Sequence, residues 1–173
     1  EHKVRKIVFL STDFVLYPDK NPYRDSKLEA EHILRASSLD YTILRPTPVY
    51  GKGDDKNFIS VWETVRKFPI IPAIRCIMQP VYVGDVVKAI LGVMENPKTS
   101  RKEYNLPGGS IVSFDGILRF TAKQMGLRRW VMTLPNALML AMIRVYEAIV
   151  PHPAVRYYQV HKWTTNKELS LDE

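Results

Sequence analysis

A tyrosine and a lysine stand four residues apart in the segment Tyr23-Arg24-Asp25-Ser26-Lys27. On a helix this spacing places the two side chains on one face. A phenol beside an ammonium group forms a proton-transfer pair, because a nearby positive charge favours the ionised phenolate. Tyr23 and Lys27 therefore predict general acid/base chemistry.

The four-residue spacing is weak evidence by itself, because the nine tyrosines and many lysines of this chain give about 0.7 such pairs by chance. Tyr158 and Lys162 have the same spacing, but they stand in a late aromatic and basic stretch that no strand precedes. We interpret this second pair as structural. For Tyr23 and Lys27 the alternative is an ordinary pair on a helix surface.

An apolar segment before the Tyr23–Lys27 pair predicts the strand that leads to it. Residues 4–10 end in a run that is apolar on both faces, which is typical of a buried parallel strand. Ser11 and Thr12 follow at the carboxyl end, where α/β proteins gather their sites. A hydroxyl at this position is expected to hold a substrate oxygen against Tyr23.

Turn and capping signals predict the remaining elements. Asn21 as N-cap and Pro22 at the first helical position begin a helix that extends to about Ser38. The later part of the chain continues the alternation of strand and helix, which predicts a parallel α/β sheet. The later predicted elements are strands at 41–44, 81–83 and 104–106, a helix after Ser113 that Gly126 ends, and an apolar helix between Pro135 and Pro151.

Composition limits the class of protein. The chain has 173 residues, 46% hydrophobic and 25% charged, which fits one soluble globular domain without a membrane-spanning run. A net charge of +7, scattered among 18 acidic residues, favours phosphate-bearing ligands weakly and gives no nucleic-acid footprint. The single cysteine, Cys76, excludes an internal disulfide and favours a reducing compartment, here the cytoplasm. The four histidines lack metal-ligand spacing, so no metal site is predicted.

The two ends of the sequence suggest a piece of a longer protein. The first residue is Glu1, and a predicted strand begins almost at once. The last four residues run from Ser170 to Glu173, a capping-box spacing that normally begins a helix.

Four segments together resemble the short-chain dehydrogenase/reductase superfamily, in its extended NAD-dependent epimerase/dehydratase-like branch and its atypical branch. Residues 10–15 resemble the strand end of nucleotide-sugar dehydratases and dehydrorhamnose reductases. Residues 21–27 resemble the active-site helix, and residues 44–51 resemble the loop that touches the nicotinamide end of the cofactor. Residues 79–86 resemble a later "HVDDV"-type segment. The resemblance covers nearly the whole chain and is closest to the branch that includes the 39-kDa-type accessory subunit of respiratory complex I.

The resemblance implies a role for each matching residue. Tyr23 would be the general acid/base, and Lys27 would bind the nicotinamide ribose and assist Tyr23. Thr12 would position the reacting oxygen, with Ser11 as the fallback. The implied reaction is hydride transfer at a carbon bearing oxygen, with NAD or NADP as cofactor and the choice between them open. Further implied contacts are Ser11, Pro46 and Val49 to the cofactor, and Asp13, Asn57 and Arg75 to the substrate.

The sequence also departs from the family pattern at three places. Phe14 stands where nucleotide-sugar dehydratases carry a glutamate. Met78 stands where an arginine often holds a nucleotide diphosphate, and Arg75 is the candidate to replace that arginine. The glycine-rich turn that seats the pyrophosphate has no match, since Gly51-Lys52-Gly53 lacks the third glycine and is interpreted as a surface turn. We therefore expect residues 1–173 to bind NAD(P) weakly by themselves.

These observations predict the second half of a Rossmann-type doubly wound parallel sheet plus a smaller, mostly helical substrate-binding lobe. Residues 1–52 would hold the sheet and the active-site helix, and residues 53–173 the lobe interleaved with return strands. The predicted function is an NAD(P)-dependent oxidoreductase or epimerase-like enzyme acting on a small carbonyl or hydroxyl substrate. The alternative is a non-catalytic NAD(P)H-binding scaffold or accessory subunit of a larger assembly.

The apolar C-terminal third leaves several interpretations open. Residues 134–150 are expected to be a core helix of the small lobe, and the alternatives are the wall of a lipophilic pocket and a peripheral membrane or assembly contact. Arg128-Arg129-Trp130 is expected to be a solvated turn with a buried tryptophan, and the alternatives are stacking on a base and holding a phosphate. A homodimer is compatible with the superfamily, but the sequence carries no specific dimer signature.

Overall fold

The computed structural model describes residues 4, 6–18, 21–54, 58–151, 157–161 and 164, with only the backbone for 158 and 159. The described chain divides into two compact units. The first unit combines residues from 1–52 with residues 80–109, and the second combines residues from 53–79 with residues from 110–168.

The helices and strands of the described residues follow in chain order. The strands are β1 Ile7–Leu10, β2 Tyr41–Pro46, β3 Val49–Tyr50, β4 Ile70–Ile74, β5 Ile77–Met78, β6 Val81–Tyr82, β7 Lys102–Leu106, β8 Val112–Ser113 and β9 Trp130–Leu134. The helices are α1 Pro22–Ala36, α2 Phe58–Lys67, α3 Val83–Glu95, α4 Phe114–Gln124, α5 Asn136–Ile149 and α6 Tyr157–His161, with short 3-10 turns at Asp13–Leu16 and Pro97–Thr99.

The first unit is built on a parallel three-stranded sheet in the order β1-β2-β7. Leu10 pairs with Leu44, and Leu44 pairs with Tyr104, so the carboxyl ends of all three strands lie at one edge. β3 and β6 form a second parallel pair in the same unit. Every residue of β2 is buried, and Ile43 and Leu44 are fully enclosed. The predicted parallel α/β sheet with intervening helices is confirmed.

The burial predicted for β1 is wrong. The sequence predicts a strand over residues 4–10 that is buried on both faces, whereas the strand covers Ile7–Leu10, its first three residues are half-buried and Leu10 is exposed. The physical reason is that β1 pairs with β2 along one edge and with no strand on its other edge among the described residues. An apolar run alone cannot distinguish a central strand from an edge strand.

The second unit contains more strand than its sequence predicts. β4 and β9 pair in parallel, and β5 and β8 pair antiparallel. Helices α2 and α4 pack on the first pair around Val65, Ala73 and Leu118. The second unit is still mostly helical, as predicted, but the sequence did not predict these strands. Trp130, expected to be buried in a turn, begins β9 with its side chain 73% exposed, so that prediction is wrong.

Helix α5 has one buried face and one exposed face. Met139 and Ile143 enter a core cluster with Ile74 and Met78, as expected for a core helix. On the opposite side Leu138, Met142 and Val145 are exposed, and an apolar groove of about 480 Å³ runs along residues 141–150. In the part of the chain that the structure describes, no helix has the length and apolar character needed to cross a membrane.

Two predicted helix starts are confirmed by their cap geometry. The Asn21 side chain accepts a hydrogen bond from the Arg24 backbone N–H at 2.9 Å, with Pro22 in the first turn of α1. The Ser113 hydroxyl accepts from the Gly116 N–H at the start of α4. Helix α1 ends at Ala36, two residues before the expected Ser38, because Ser37 adopts an extended conformation.

Candidate functional site

The carboxyl end of β1 continues into a short turn that begins at Thr12. Thr12 is 5% exposed and is the N-cap of the 3-10 helix Asp13–Leu16. Its Oγ1 accepts a hydrogen bond from the Phe14 N–H at 3.4 Å and donates to Asp13 Oδ1 at 3.3 Å. Both bonds are long for a hydroxyl group, so the Thr12 hydroxyl is only weakly held by its own turn.

Helix α1 carries Tyr23 and Lys27 one turn apart, as the spacing predicts. Tyr23 is 54% exposed, so its side chain is open to solvent. The Phe14 ring lies edge-on to the Tyr23 ring, with 6.5 Å between centroids and an interplanar angle of 80°. The residue that replaces the dehydratase glutamate therefore packs directly against the proposed proton-transfer group.

The ammonium group of Lys27 contacts the end of β1. Lys27 Nζ donates a hydrogen bond to the Leu10 carbonyl oxygen at 2.8 Å and lies 5.0 Å from the centroid of the Phe9 ring. Leu10 immediately precedes Ser11 and Thr12. The structure thus brings Lys27 to the strand end where the sequence predicts a hydroxyl-lined site.

Ser11 and Asp13 flank Thr12 and are both buried. The Ser11 N–H continues the sheet by donating to the Leu44 carbonyl at 2.7 Å, while its hydroxyl makes no hydrogen bond of good geometry among the described residues. Asp13 is 1% exposed. Burial and the Asp13 charge raise the pKa of the Tyr17 phenol to about 12, so Tyr17 stays neutral at ordinary pH.

The residues proposed to border the nicotinamide follow the next strand. Pro46 is the buried last residue of β2, and Val49 begins β3. The Thr47 N–H between them donates to the Leu106 carbonyl of β7 at 3.2 Å. Because β1 and β2 are parallel and in register, Pro46 lies at the same edge of the sheet as Ser11 and Thr12.

A buried ion cluster that the sequence did not predict lies under α1. Glu31, one turn beyond Lys27, is fully enclosed and binds Arg45 of β2 through both carboxylate oxygens, at 2.9 and 2.7 Å. Arg35 and Glu103 extend the cluster toward solvent, with Arg35 Nε 2.7 Å from Glu103 Oε1. In the sequence, this cluster is indicated only by the four-residue spacing of Lys27, Glu31 and Arg35.

The electrostatics of this cluster keep its carboxylates ionised. Burial alone would raise the pKa of Glu31, but hydrogen bonding to Arg45, the proximity of the Ser11 hydroxyl and the charges of both arginines hold it below its usual value. Hydrogen bonding to Arg35 outweighs burial at Glu103 and lowers its pKa as well. Four fixed charges therefore lie between α1 and the sheet.

Asn105 is a second residue that sequence reasoning missed. It pairs with Arg45 in the register between β2 and β7, at the carboxyl edge of the sheet. Its Oδ1 is buried and has no hydrogen-bond partner among the described residues. The sequence feature that points to Asn105 is its polar side chain near the end of the predicted strand 104–106.

Of the positions considered for substrate binding beyond the end of β1, the structure describes Arg75 and Met78. Arg75 belongs to the second unit, where its backbone N–H and carbonyl are both bound by the Asn136 side chain, at 2.9 and 3.0 Å. Met78, at the position of the family arginine, is buried in the core of the second unit. Asn57, Lys162, the Tyr158 side chain and the segment 170–173 lie outside the described residues.

The Gly51-Lys52-Gly53 segment follows β3 as a turn, as expected. Gly51 has φ of +137°, and a Cβ atom there would lie 2.6 Å from Val83 Cγ1. The glycine is thus required by the backbone conformation and by the close approach of Val83, without any phosphate ligand.

Comparison with known proteins places these residues in a family. The model of the NAD dependent epimerase/dehydratase family matches residues 3–106. The chain is 31% identical over 113 residues to the chloroplast stem-loop binding protein of 41 kDa b from Arabidopsis thaliana, which covers 62% of this chain and 30% of that protein. It is 29% identical over 118 residues to NADH dehydrogenase (ubiquinone) 1 alpha subcomplex subunit 9 from Dictyostelium discoideum, covering 66% and 33%. The chain spans about a third of the length of these curated relatives.

The fold has a solved counterpart in the dTDP-4-dehydrorhamnose reductase of Bacillus anthracis, whose structure is a complex with NADP. The TM-score is 0.67 with 17% sequence identity, and the alignment covers 91% of this chain and 64% of that chain. The likeness supports the Rossmann-type α/β fold predicted from the sequence.

Proposed function

The chain belongs to the NAD-dependent epimerase/dehydratase family, and from this premise we propose that its parent protein is an NAD(P)-dependent oxidoreductase or epimerase-like enzyme. The observation that carries the proposal is the hydrogen bond from Lys27 Nζ to the Leu10 carbonyl at 2.8 Å. It sets the Tyr23–Lys27 helix against the strand end that bears Ser11 and Thr12. A pair on an unrelated helix surface would have no reason to meet this edge of the sheet.

The residues present fit the nicotinamide end of NAD(P). An ammonium group has three N–H donors. Lys27 donates one hydrogen bond to the Leu10 carbonyl, so the other N–H groups can bind the hydroxyl groups of a ribose. Pro46 and Val49 supply apolar surface near the same sheet edge. When bound, the nicotinamide supplies or accepts the hydride. The sequence and structure do not select between NAD and NADP.

The chain's own residues perform the proton chemistry in this proposal. In the reducing direction the Tyr23 hydroxyl would give its proton to the substrate oxygen as the carbonyl becomes an alcohol, and solvent would return a proton to the exposed Tyr23 oxygen. Thr12 exchanges its long bond to Asp13 for a bond to the substrate oxygen. Lys27 orients the ribose with the N–H donors that Leu10 does not occupy. Phe14 provides an apolar wall instead of a second acid/base group.

The proposed partner is a small carbonyl or hydroxyl compound in a reducing compartment, with the cytoplasm expected from the single, buried Cys76. Asp13, Asn57 and Arg75 stay candidates for its polar contacts. A peripheral or assembly contact through 134–150 and a homodimer stay proposals.

A non-catalytic scaffold is the second candidate, and two observations favour it. Phe14 occupies the position of an acid/base glutamate and packs on Tyr23. The Dictyostelium relative is named as a subunit of NADH dehydrogenase. A scaffold would keep the cofactor and the fold without turnover.

The test uses the full-length parent protein. We would titrate NADH and NADPH by calorimetry and follow a panel of carbonyl substrates by absorbance for the wild type, Tyr23→Phe and Lys27→Ala. Lys88→Ala, at an exposed position on α3, is the matched control for the loss of a lysine. The proposal expects Tyr23→Phe to bind cofactor with turnover reduced by about 100-fold or more. Tight cofactor binding with no turnover, unchanged by Tyr23→Phe, would support the scaffold instead.

A further inference from the structure

Helix α1 presents four polar side chains at intervals of four residues: Tyr23, Lys27, Glu31 and Arg35. This spacing keeps consecutive members one turn apart along the same side of the helix. Tyr23 and Lys27 belong to the proposed reaction, and Glu31 does not touch it. Glu31 is nevertheless the one fully enclosed acidic side chain among the described residues of α1.

The contact between Glu31 and Arg45 is directional. Arg45 Nε donates to Oε1 at 2.9 Å and Arg45 Nη2 donates to Oε2 at 2.7 Å, so the guanidinium and carboxylate planes are joined by two parallel bonds. Such bidentate pairs fix geometry more tightly than a single ion contact. The pair therefore opposes rotation of α1 over strand β2.

Two bonds from successive turns of α1 reach neighbouring strands of the sheet. Glu31 binds Arg45 on β2, and Lys27 binds the Leu10 carbonyl on β1. Leu10 pairs with Leu44, the residue before Arg45, so the two attachment points are close in the register. Two anchors one helical turn apart define the rotation of the helix, and Tyr23 lies one further turn toward its start.

Stability alone is a poor explanation for this arrangement. Two charges taken out of water lose much of their attraction to desolvation, and apolar replacements of buried ion pairs are often neutral or stabilising. Arg45 also lies in a row of buried polar groups between Ser11 and Asn105, at the edge where the reaction is proposed. An apolar pair would fill the same space without fixing the helix rotation.

We propose that Glu31 and Arg45 are positioning residues, whose bidentate pair sets the rotation of α1 and so holds Lys27 on Leu10 and Tyr23 over the strand end. The inference rests on the proposed function for its catalytic consequence. Its structural content, the dependence of the Lys27–Leu10 bond on the pair, stands apart from any turnover.

The experiment compares three variants of the full-length parent protein with the wild type. Glu31→Leu combined with Arg45→Met removes both charges together, so that no buried charge is left unpaired. Glu31→Asp keeps the charge and withdraws the carboxylate by one methylene. Arg35→Met is the matched control, because it deletes a guanidinium of the same cluster and leaves both Glu31–Arg45 bonds in place.

Three measurements are made on each variant: kcat and KM with the substrate found for the wild type, the thermal unfolding midpoint, and the Lys27 Nζ–Leu10 O distance by crystallography. We expect the double variant and Glu31→Asp to lose about 10- to 100-fold in kcat with a smaller change in KM, as for a misplaced reacting group. The unfolding midpoint should change little in the double variant, and the 2.8 Å bond should be lost. Arg35→Met should keep the bond, with kcat within about twofold of the wild type.

The outcomes separate this inference from the proposed function. A double variant that keeps both kcat and the Lys27–Leu10 bond overturns the positioning role, and so does an Arg35→Met variant that loses as much kcat as the double variant. A wild type without turnover overturns the proposed function, and the bond distance in the variants then decides the positioning role alone. If the double variant does not fold, the kcat and the Lys27–Leu10 distance of Glu31→Asp provide the same test.

Discussion

The charge state of two glutamates governs the interface between α1 and the sheet. Glu31 and Glu103 both have pKa values below their usual 4.5, because Arg45 and Arg35 bind the ionised carboxylates. A carboxylate whose pKa is lowered by folding stabilises the protein above its unfolded pKa. That stabilisation is lost as the pH falls through the folded value. The interface is therefore expected to weaken below about pH 4.5 and to be insensitive to pH near neutrality.

The first prediction concerns this acid sensitivity. The free energy of unfolding of the wild type should fall as the pH is lowered below about 4.5. Glu103→Gln removes one of the two carboxylates of the cluster at α1 whose pKa is lowered, so its stability should be lower at neutral pH and should fall less steeply in acid. Urea unfolding at several pH values from 3 to 7 measures both slopes. If the free energies of unfolding of wild type and variant fell with pH in parallel, protonation of Glu103 would not be coupled to unfolding and the prediction would be wrong.

At the scale of the elements, three helix ends are held by cations from distant parts of the chain. Arg101 binds the carbonyl oxygens of Arg35, Ser37 and Leu39 at the end of α1. Lys6 binds the carbonyl oxygens of Val93 and Asn96 at the end of α3. Arg129 binds those of Val65 and Arg66 at the end of α2. Unpaired carbonyls and the negative end of the helix dipole favour a cation at each of these positions.

The second prediction tests one of these caps. Arg129→Met should lower the free energy of unfolding by about 1–2 kcal/mol, because two carbonyls of α2 lose a charged donor. The neighbouring Arg128→Met is the matched control, since the Arg128 side chain is exposed, and it should change stability by less than about 0.5 kcal/mol. Chemical denaturation of both variants gives the comparison. Equal losses in the two variants would mean that the lost charge, rather than the cap, is responsible.

Some of these elements were accessible from the sequence because their signals are local. The capping residues Asn21 and Ser113 mark where α1 and α4 begin, and the apolar run of β2 predicts a buried strand. The two-residue strands β3, β5 and β8 are too short for any periodicity to show. β4 was missed for a different reason, since Pro72 interrupts its apolar run and proline is an unusual residue within a sheet.

The candidate site likewise contains residues that the sequence predicts from local spacing and residues that only long-range pairing brings together. Tyr23 and Lys27 are one turn apart, so their shared face is a local property that the sequence contains. Glu31, Arg45 and Glu103 lie on three different elements, and each has the appearance of a surface charge until the register of β2 with β7 brings them together. Long-range pairing of this kind has no local signature.

At the scale of the whole molecule, several of the positively charged side chains bind groups of the protein itself. The net charge is +7, yet Arg35 and Arg45 bind carboxylates, and Arg101, Arg129 and Lys6 bind helix carbonyls. A nucleic-acid footprint requires cations that are free to meet successive phosphates. The Arabidopsis relative is named for stem-loop binding, so the question can be put directly to this chain.

The third prediction follows from this distribution of charge. Residues 1–173 and the full-length parent should bind a stem-loop RNA only in the non-specific range, with a Kd of about 1–100 μM or weaker at 150 mM salt. Fluorescence anisotropy from 50 to 300 mM salt measures the affinity and its salt dependence, with a Lys/Arg-rich RNA-binding domain as positive control. A Kd well below about 1 μM at this salt concentration would contradict the prediction. Arg128→Ala combined with Lys88→Ala would then identify whether the exposed cations on the two units contribute, because neither residue holds a helix end or a buried carboxylate.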